Sequence, residues 1–386
     1  MSQQAPAPLP VRLALHLREH GPATVTQLAH ALLVSRTSVE TSLGALLDSG
    51  LVGDAPAEGA KGAGRPARRF AFQDAGGVVA GVDVGAHSIR VVLADLSGAV
   101  IAQTTAPGLD ADADGATQLV QVVQVVTDAA HDAGIPLSRF RAVGVSLPGI
   151  VDDGGRVIAS VVIPTWAGID IVAHLRSAFG CPIVVDNGVR LAAVAEHHLG
   201  AARLVNEVLY LSVGNRIAAG LIFDGRARRG VHNVAGDIGR LAFRGLNART
   251  GQIDWHSAES AEAVFRRAEE GDRSAQGELD AFVDELAHGI ATLVMTVDPA
   301  IVVIGGGLSL ARERLLSPLR DAVRRHIGLP IDVPIVGARL GADAAAHGAL
   351  IFAFHRCIED VYGIPQMSPP PVTPLAPAAS VDAVGV

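Results

Sequence analysis

Ser35, Arg36, Thr37, Ser38, Thr41 and Ser42 crowd one short stretch of the chain. Short hydroxyl side chains beside a guanidinium suit base edges and phosphate oxygens. A second group, Lys61, Arg65, Arg68 and Arg69, follows in a Gly/Ala-rich run with no acidic residue among them. That composition describes a flexible basic segment able to lie along phosphates or enter a minor groove. Further on, apolar runs end in glycine, as in Gly81-Val-Asp-Val-Gly85 and Gly305-Gly306-Gly307. Backbone N–H groups in such turns can close on phosphate, although a strand-to-helix turn needs the same glycines for sterics alone. Cys181 and Cys357 stand far apart and outside any Cys-x-x-Cys pattern, which reads as two buried, reduced thiols.

The elements that position the first two groups are legible from spacing. Leu9, Leu13 and Leu17 recur at helical intervals before Gly21-Pro22 stops the helix. Thr26 is suited to cap a second helix carrying Leu28, Ala29 and Leu32 inward. Ser35 is suited to cap a third, with Val39, Leu43, Leu46 and Leu47 on one face, ending at Gly50. Joined by Leu33-Val34, the second and third helices have the length of a helix-turn-helix. Leu51-Val52 and Arg69-Phe70-Ala71-Phe72 are expected to pair as strands around the basic tip, forming a wing. From Val78 onward, strands alternate with helices: Val78–Val84, Ile89–Asp95, Ala142–Ser146, Ile183–Asp186, Glu207–Ser212, Ile217–Phe223 and Ala300–Ile304 as strands, with Leu119 to Ala130, Leu191–Leu199 and Phe282–Val297 helical. This pattern implies layered α/β with ligand loops at strand ends.

Three segments follow: 1–74 as a winged helix-turn-helix, 75–364 as the α/β body, and 365–386 as a Pro/Ala-rich tail expected to be disordered. The chain of 386 residues is long enough for separate cores, and its net charge is −8. Residues 1–75 carry seven Lys/Arg against six Asp/Glu, while the remainder is acidic. One basic end on an acidic body is the footprint of a polyanion partner. No run of about 18 uncharged apolar residues and no secretion-signal pattern is present, so the expectation is a cytoplasmic protein without a membrane span.

Six motifs in order resemble one family, the ROK group of repressors, open reading frames and sugar kinases. They are Gly81-Val-Asp-Val-Gly85, Gly144-Val-Ser-Leu-Pro-Gly149 followed by Asp152, Ile163-Pro-Thr-Trp166, Val185-Asp-Asn187, Ala235-Gly-Asp-Ile-Gly239, and Asp298-Pro-Ala-Ile-Val-Val-Ile-Gly-Gly-Gly307. The resemblance covers almost the whole chain and implies a two-lobed, actin-like ATPase body of the ribonuclease H-like type behind the winged helix. It also implies a sugar and nucleotide cleft between the lobes and assembly as a homodimer or a higher homo-oligomer.

The same resemblance shows where the chemistry departs. Its kinases take their base from an aspartate directly after the asparagine of an Asn-Asp pair. Here Asn187 is followed by Gly188, which cannot accept a proton. Asp186 precedes the asparagine and should face the other way. His87 replaces a threonine in the first phosphate loop, and Ser212-Val-Gly-Asn-Arg-Ile-Ala-Ala-Gly220 replaces a Gly-Thr-Gly run. Arg240 stands where a zinc-binding histidine would, and Leu246 to Ser257 contains no cysteine, so no metal site is expected. The sugar contacts implied are Asn187, Asp237 and Glu259, with Arg240 a cation suited to a phosphorylated or acidic sugar or to pairing with Asp237; Trp166 and Trp255 are suited to stacking on a sugar face, or to the core. Together these readings describe a DNA-binding regulator, most simply a repressor of a double-stranded operator, without kinase activity, without a cofactor, and open to a sugar or sugar-phosphate effector. The alternative is a sugar kinase using ATP.

Overall fold

The computed structural model describes residues 7–56, 67–243 and 252–375. The N-terminal unit is a winged helix built from α1 (Leu9–His20), β1 (Ala23–Thr24), α2 (Val25–Leu32), α3 (Arg36–Asp48), β2 (Val52–Ala55) and β3 (Arg69–Phe72). Gly21, at φ 80°, ends α1, and Leu33, left-handed at φ 55°, makes the turn between α2 and α3. The cap of α2 is Thr24 rather than the expected Thr26. Its hydroxyl accepts the Gln27 N–H, and the Gln27 side chain accepts the Thr24 N–H in return. Two orphan donors satisfied reciprocally outweigh a single cap one turn later. The wing pairs Val52 with Phe72 and Ala55 with Arg69, and β1 adds a third strand on the other side of β3.

The body has two lobes. The first is a five-stranded sheet in the order β10-β7-β4-β5-β6, from β4 (Val78–Val84), β5 (Ser88–Asp95), β6 (Val100–Pro107), β7 (Phe140–Leu147) and β10 (Ile183–Asn187). Helices α4 (Gly115–Asp132) and α5 (Ile171–Phe179) cover one face, and a small hairpin of β8 (Ile150–Val151) and β9 (Val157–Ala159) follows β7. Helix α6 (Gly188–His198) leads to the second lobe. There β11 (Val208–Val213), β12 (Ile217–Phe223), β13 (Arg226–Ala227), β14 (Ile301–Gly305) and β15 (Ile335–Gly337) form a sheet in the order β13-β12-β11-β14-β15. Its helices are the short α7 (Gly239–Ala242), α8 (Ala261–Glu269), α9 (Arg273–Val297) and α10 (Glu313–Ile327). The chain returns through α11 (Ala344–Arg356) and α12 (Ile358–Tyr362). This is the two-lobed α/β architecture that the motifs implied. Among the described residues no helix is long and apolar enough to cross a membrane.

Helices α6 and α11 pack against each other between the two sheets, and glycine sets their separation. A Cβ on Gly348 of α11 would lie 1.8 Å from the Leu191 carbonyl oxygen of α6. On Gly81 and Gly144 it would lie 2.2 Å and 2.0 Å from the Ala346 and Ala349 carbonyl oxygens, so α11 rides directly on β4 and β7. Glu196 of α6, fully buried, accepts the backbone N–H groups of Arg339 and Leu340 at 2.9 and 2.8 Å, tying down the segment that feeds α11.

The expected disorder of residues 365–386 is corrected for the part described. Met367 and Val372 are buried, and Thr373 exchanges backbone hydrogen bonds with Gly98 and Val100, each of 2.9 Å. A Pro-rich run has few donors to satisfy, so it can lie across a turn and anchor through two apolar side chains and one bridge. Residues 376–386 lie outside the described residues. This strap also meets the winged helix. Arg18 of α1 donates to the Ser368 carbonyl at 3.0 Å and to the Tyr362 hydroxyl at 3.3 Å, while that hydroxyl donates to the Leu96 carbonyl at 2.7 Å. The winged helix and the body therefore share one apolar cluster, running from Leu13 and Leu43 to Phe354 and Tyr362.

Two outcomes follow from this packing. Gly348→Ala should destabilise the chain by about 1–3 kcal/mol or more through overpacking, whereas Gly277→Ala, in α9 with open space around it, should stabilise by up to about 1 kcal/mol; paired thermal melts read both. At the end of α6, burial first and His198 second pull the His197 imidazole down to about 4 from 6.5. Its folded value is the lower one, so stability is lost as pH falls from 6.5 towards 4. Melts across that window should show the loss, and His197→Leu should reduce it, the remainder coming from His355, which burial likewise pulls down to about 4.

Candidate functional site: a winged-helix face and an interlobe cleft

On α3, Val39, Leu43 and Leu46 are buried, which turns Ser35, Arg36, Thr37, Ser38 and Thr41 to solvent, with Ser42 half-buried. Ser35 caps the helix, its Oγ accepting the Ser38 N–H at 3.0 Å and meeting the Ser38 Oγ at 2.8 Å. Thr41 donates to the Thr37 carbonyl at 3.0 Å. Local bonds thus occupy three of these hydroxyl groups, and Arg36 is the exposed cation of the helix's first turn with no partner among the described residues. The arginines assigned to the wing divide. Arg65 lies outside the described residues. Arg68 grips the Asp54 carboxylate with Nε at 2.5 Å and an Nη at 3.0 Å, and lies over the Phe70 ring at 4.9 Å. Arg69 donates to the Pro22 carbonyl at 2.7 Å. Both therefore brace the wing's base, a role that basic composition does not disclose.

In the cleft, β4, β7 and β10 run parallel and place Asp83, Ser146 and Asp186 in register near their C-terminal ends. Ser146 Oγ donates to the Asp83 carboxylate at 2.6 Å. Burial pushes the Asp83 carboxyl above the usual carboxylate range, partly offset by that hydrogen bond. Asn187 ends β10 and caps α6. Its Oδ1 accepts the Val189 and Arg190 N–H groups at 2.9 and 3.2 Å, and its Nδ2 donates to the Gly149 carbonyl at 2.8 Å. The amide expected to read a sugar is thus occupied by the protein's own backbone. At Gly188 a Cβ would stand 2.9 Å from Ser146 Oγ and 3.9 Å from the nearer Asp83 oxygen. The position of the absent carboxylate is therefore crowded by the Ser146–Asp83 pair.

Asp186 is in register with Ser146, and its carboxylate is engaged by other partners. It is 2% exposed, accepts the Asn187 N–H at 2.7 Å, and pairs with both Arg190 and Arg229. Motif matching passed over these two arginines; the i, i+4 spacing of Asp186 and Arg190 was the available signal. Asp237 and Glu259 are exposed, and their side chains make no hydrogen bond or ion pair among the described residues. Arg240 falls in α7, and the expectation for its guanidinium lies outside what is described. Trp166 is 1% exposed in the first lobe's core and cannot stack on a ligand, whereas Trp255 is half-buried with its ring 5.0 Å from Phe282.

The second lobe keeps a cavity of about 890 Å³ lined by Gly214, Asn215, Trp255, Phe265, Gly307 and Arg314 among others. Gly305 and Gly306 are needed sterically, since a Cβ would meet Tyr210 Oη at 2.1 Å and the Val213 carbonyl at 2.5 Å; Gly307 opens freely. Arg216 bridges to Gln252 through its backbone and is half-buried. Among the described residues no group of three His, Cys, Asp or Glu is placed to hold a metal ion, and both cysteines are buried in the cores of other elements.

The ROK family matches this chain over residues 79–244 and 240–356. The xylose repressor of Caldicellulosiruptor bescii is 22% identical over 336 residues, covering 78% of this chain and 83% of the relative. The glucokinase of Thermotoga maritima is 27% identical over 309 residues, covering 70% of this chain and 95% of the enzyme. Among solved structures, a ROK family transcriptional regulator described as a homologue of the E. coli Mlc protein superposes with a TM-score of 0.68 at 20% identity, covering 92% of this chain and 96% of its own. Repressors and kinases thus both stand among the relatives, and on the matched residues and the two-lobed fold the chain belongs to the ROK family.

Proposed function

We propose that the protein is a DNA-binding transcription regulator, most simply a repressor, that acts as a homodimer, responds to a sugar or sugar phosphate, and has no kinase activity. One observation carries the reading: a winged helix is packed onto a kinase-like body whose base position is Gly188, crowded by Ser146 and Asp83. Repressor relatives that align across most of the chain support it. In this reading α3 enters the major groove with Arg36 foremost, and Thr37, Ser42 and the wing contact bases or backbone. A dimer then sets the spacing of two such helices on a two-fold operator. A sugar kinase remains the competing reading, favoured by the cavity at Gly214 and Gly307 and by the kinase relatives.

Selection of random duplexes on the purified chain should enrich a palindrome whose affinity falls with salt. Arg36→Ala should weaken that site by about 1–3 kcal/mol. Absence of any enriched sequence would sink the regulator reading. For the competing reading, phosphate release from ATP with a hexose panel should stay at background. Gly188→Asp should not restore it, because the new side chain meets Ser146, and its melting temperature should drop. Steady turnover by the wild-type chain would establish the kinase instead.

A further inference from the structure

Between the lobes, two guanidinium groups converge on one buried carboxylate. Asp186, near the end of β10, pairs with Arg190 of α6 and, at 3.2 Å, with Arg229 of the second lobe's loop after β13. The side chains of Asp186 and Arg190 are 3% and 5% exposed, and that of Arg229 is 22% exposed. Arg190 also donates to the Asn233 carbonyl at 3.1 Å, yet its buried Nε has no acceptor. Buried guanidinium N–H groups are ordinarily all matched, and a buried cation is costly without a counter-charge. Two cations against one buried carboxylate leave positive charge that a second anion must balance.

The second anion is Asp153, in the turn between β8 and β9 of the first lobe. It takes Arg229 Nη1 at 3.1 Å and Asn233 Nδ2 at 3.3 Å, but its side chain is 88% exposed. An exposed carboxylate is strongly solvated and screened, so it compensates a half-sheltered guanidinium only weakly. Nothing in the fold depends on its staying there, since the turn is held by Asp152, whose carboxylate accepts the Gly154 and Arg156 N–H groups.

Building on the reading of the cleft as an effector site, we propose that Arg229 and Asn233 form a subsite for the anionic group, phosphate or carboxylate, of a charged sugar, and that such a ligand displaces Asp153. A planar guanidinium fork beside an amide N–H matches either oxyanion. Asp153 and Asp186 belong to the first lobe while Arg229 and Asn233 belong to the second, so displacement exchanges one tie between the lobes for a ligand-mediated one. That gives the ligand different contacts in the two arrangements, the condition for it to shift their balance.

Titration calorimetry on the full chain with a hexose, its 6-phosphate, the corresponding hexuronate and inorganic phosphate tests the subsite. The charged sugars should bind at least tenfold tighter than the neutral hexose, and the stronger of the two identifies the anion. Asp153→Asn should tighten the charged sugar several-fold and leave the neutral one unchanged. Arg229→Gln should weaken the charged sugar at least tenfold; Arg229→Lys, which keeps the charge and loses the fork, should fall between, and melts confirm that both variants fold. Equal binding of neutral and charged sugars, no response to Asp153→Asn, inorganic phosphate binding as tightly as the sugar phosphate, or no binding by any of the four would each overturn the proposal. Operator selection on the same preparation separates this failure from failure of the regulator reading, because it needs no ligand.

Discussion

Everything in the body hangs on how closely α6 and α11 approach each other between the two sheets. The approach is set by backbone rather than by interlocking side chains: Gly348 faces the Leu191 carbonyl, and Gly81 and Gly144 face carbonyl oxygens of α11. Small residues on both helices, Ala192, Ala193 and Ala195 on one and Ala346, Ala349 and Ala353 on the other, are buried, and Gly220 of β12 and Gly144 of β7 leave room for Ala193 and Ala353. Close packing of this kind responds to a shift by moving as a unit, because there is little free volume to absorb it. Glu196 adds a polar lock, spending a fully buried carboxylate on the backbone entering α11 and on Ala201. Since α6 begins at Gly188 in the cleft, the groups that meet a ligand sit at one end of the element that joins the lobes.

The other end of the construction is the attachment of the winged helix. Tyr362 stands where three segments meet: its hydroxyl bonds the Leu96 carbonyl, Arg18 reaches it from α1, and Phe72 of the wing lies 6.3 Å away ring to ring. The strap that follows crosses the turn at Gly98, whose lack of a side chain lets it pass beside Pro371. Because α12 follows α11 directly, an unbroken path of packed elements leads from the cleft to the winged helix. Continuity of packing is the physical means by which occupancy of a cleft can bias the geometry of a reading head.

The polar groups of the cleft are largely engaged with one another. Asp83 and Ser146 satisfy each other, Asn187 caps its helix, and Asp186 is spent on two arginines. Asp237 and Glu259 are exposed, and Arg190 and Arg229 are tied to Asp186. Gly188 supplies no carboxylate at the start of α6, and the two arginines are met by the buried Asp186 and the exposed Asp153.

Much of this was legible in the residues themselves. The 3.6-residue spacing of Leu9, Leu13 and Leu17, the cap at Ser35, the boundaries of β4 and β12, and the order of the glycine motifs are local signals, and they located the winged helix and the strands that bear the cleft. The substitution at Gly188 needed no coordinates. Local signals failed where burial surrounds an element: α11, Ala-Ala-Ala-His-Gly-Ala-Leu-Ile-Phe-Ala-Phe-His-Arg, is apolar on nearly every side, so no periodicity announced the helix that joins the lobes. They failed also where a side chain's partner is remote in sequence. Arg68 and Arg69 read as phosphate contacts until Asp54 and Pro22 claimed them, Trp166 read as a stacking surface or as core until the core enclosed it, and the Pro-rich strap read as disordered until Gly98 offered it an edge. Types and spacing determined which chemistry the chain could still perform. Which polar groups remain free to perform it was decided by the tertiary structure, because a hydrogen-bonding group is spent or available only according to what folding brings beside it.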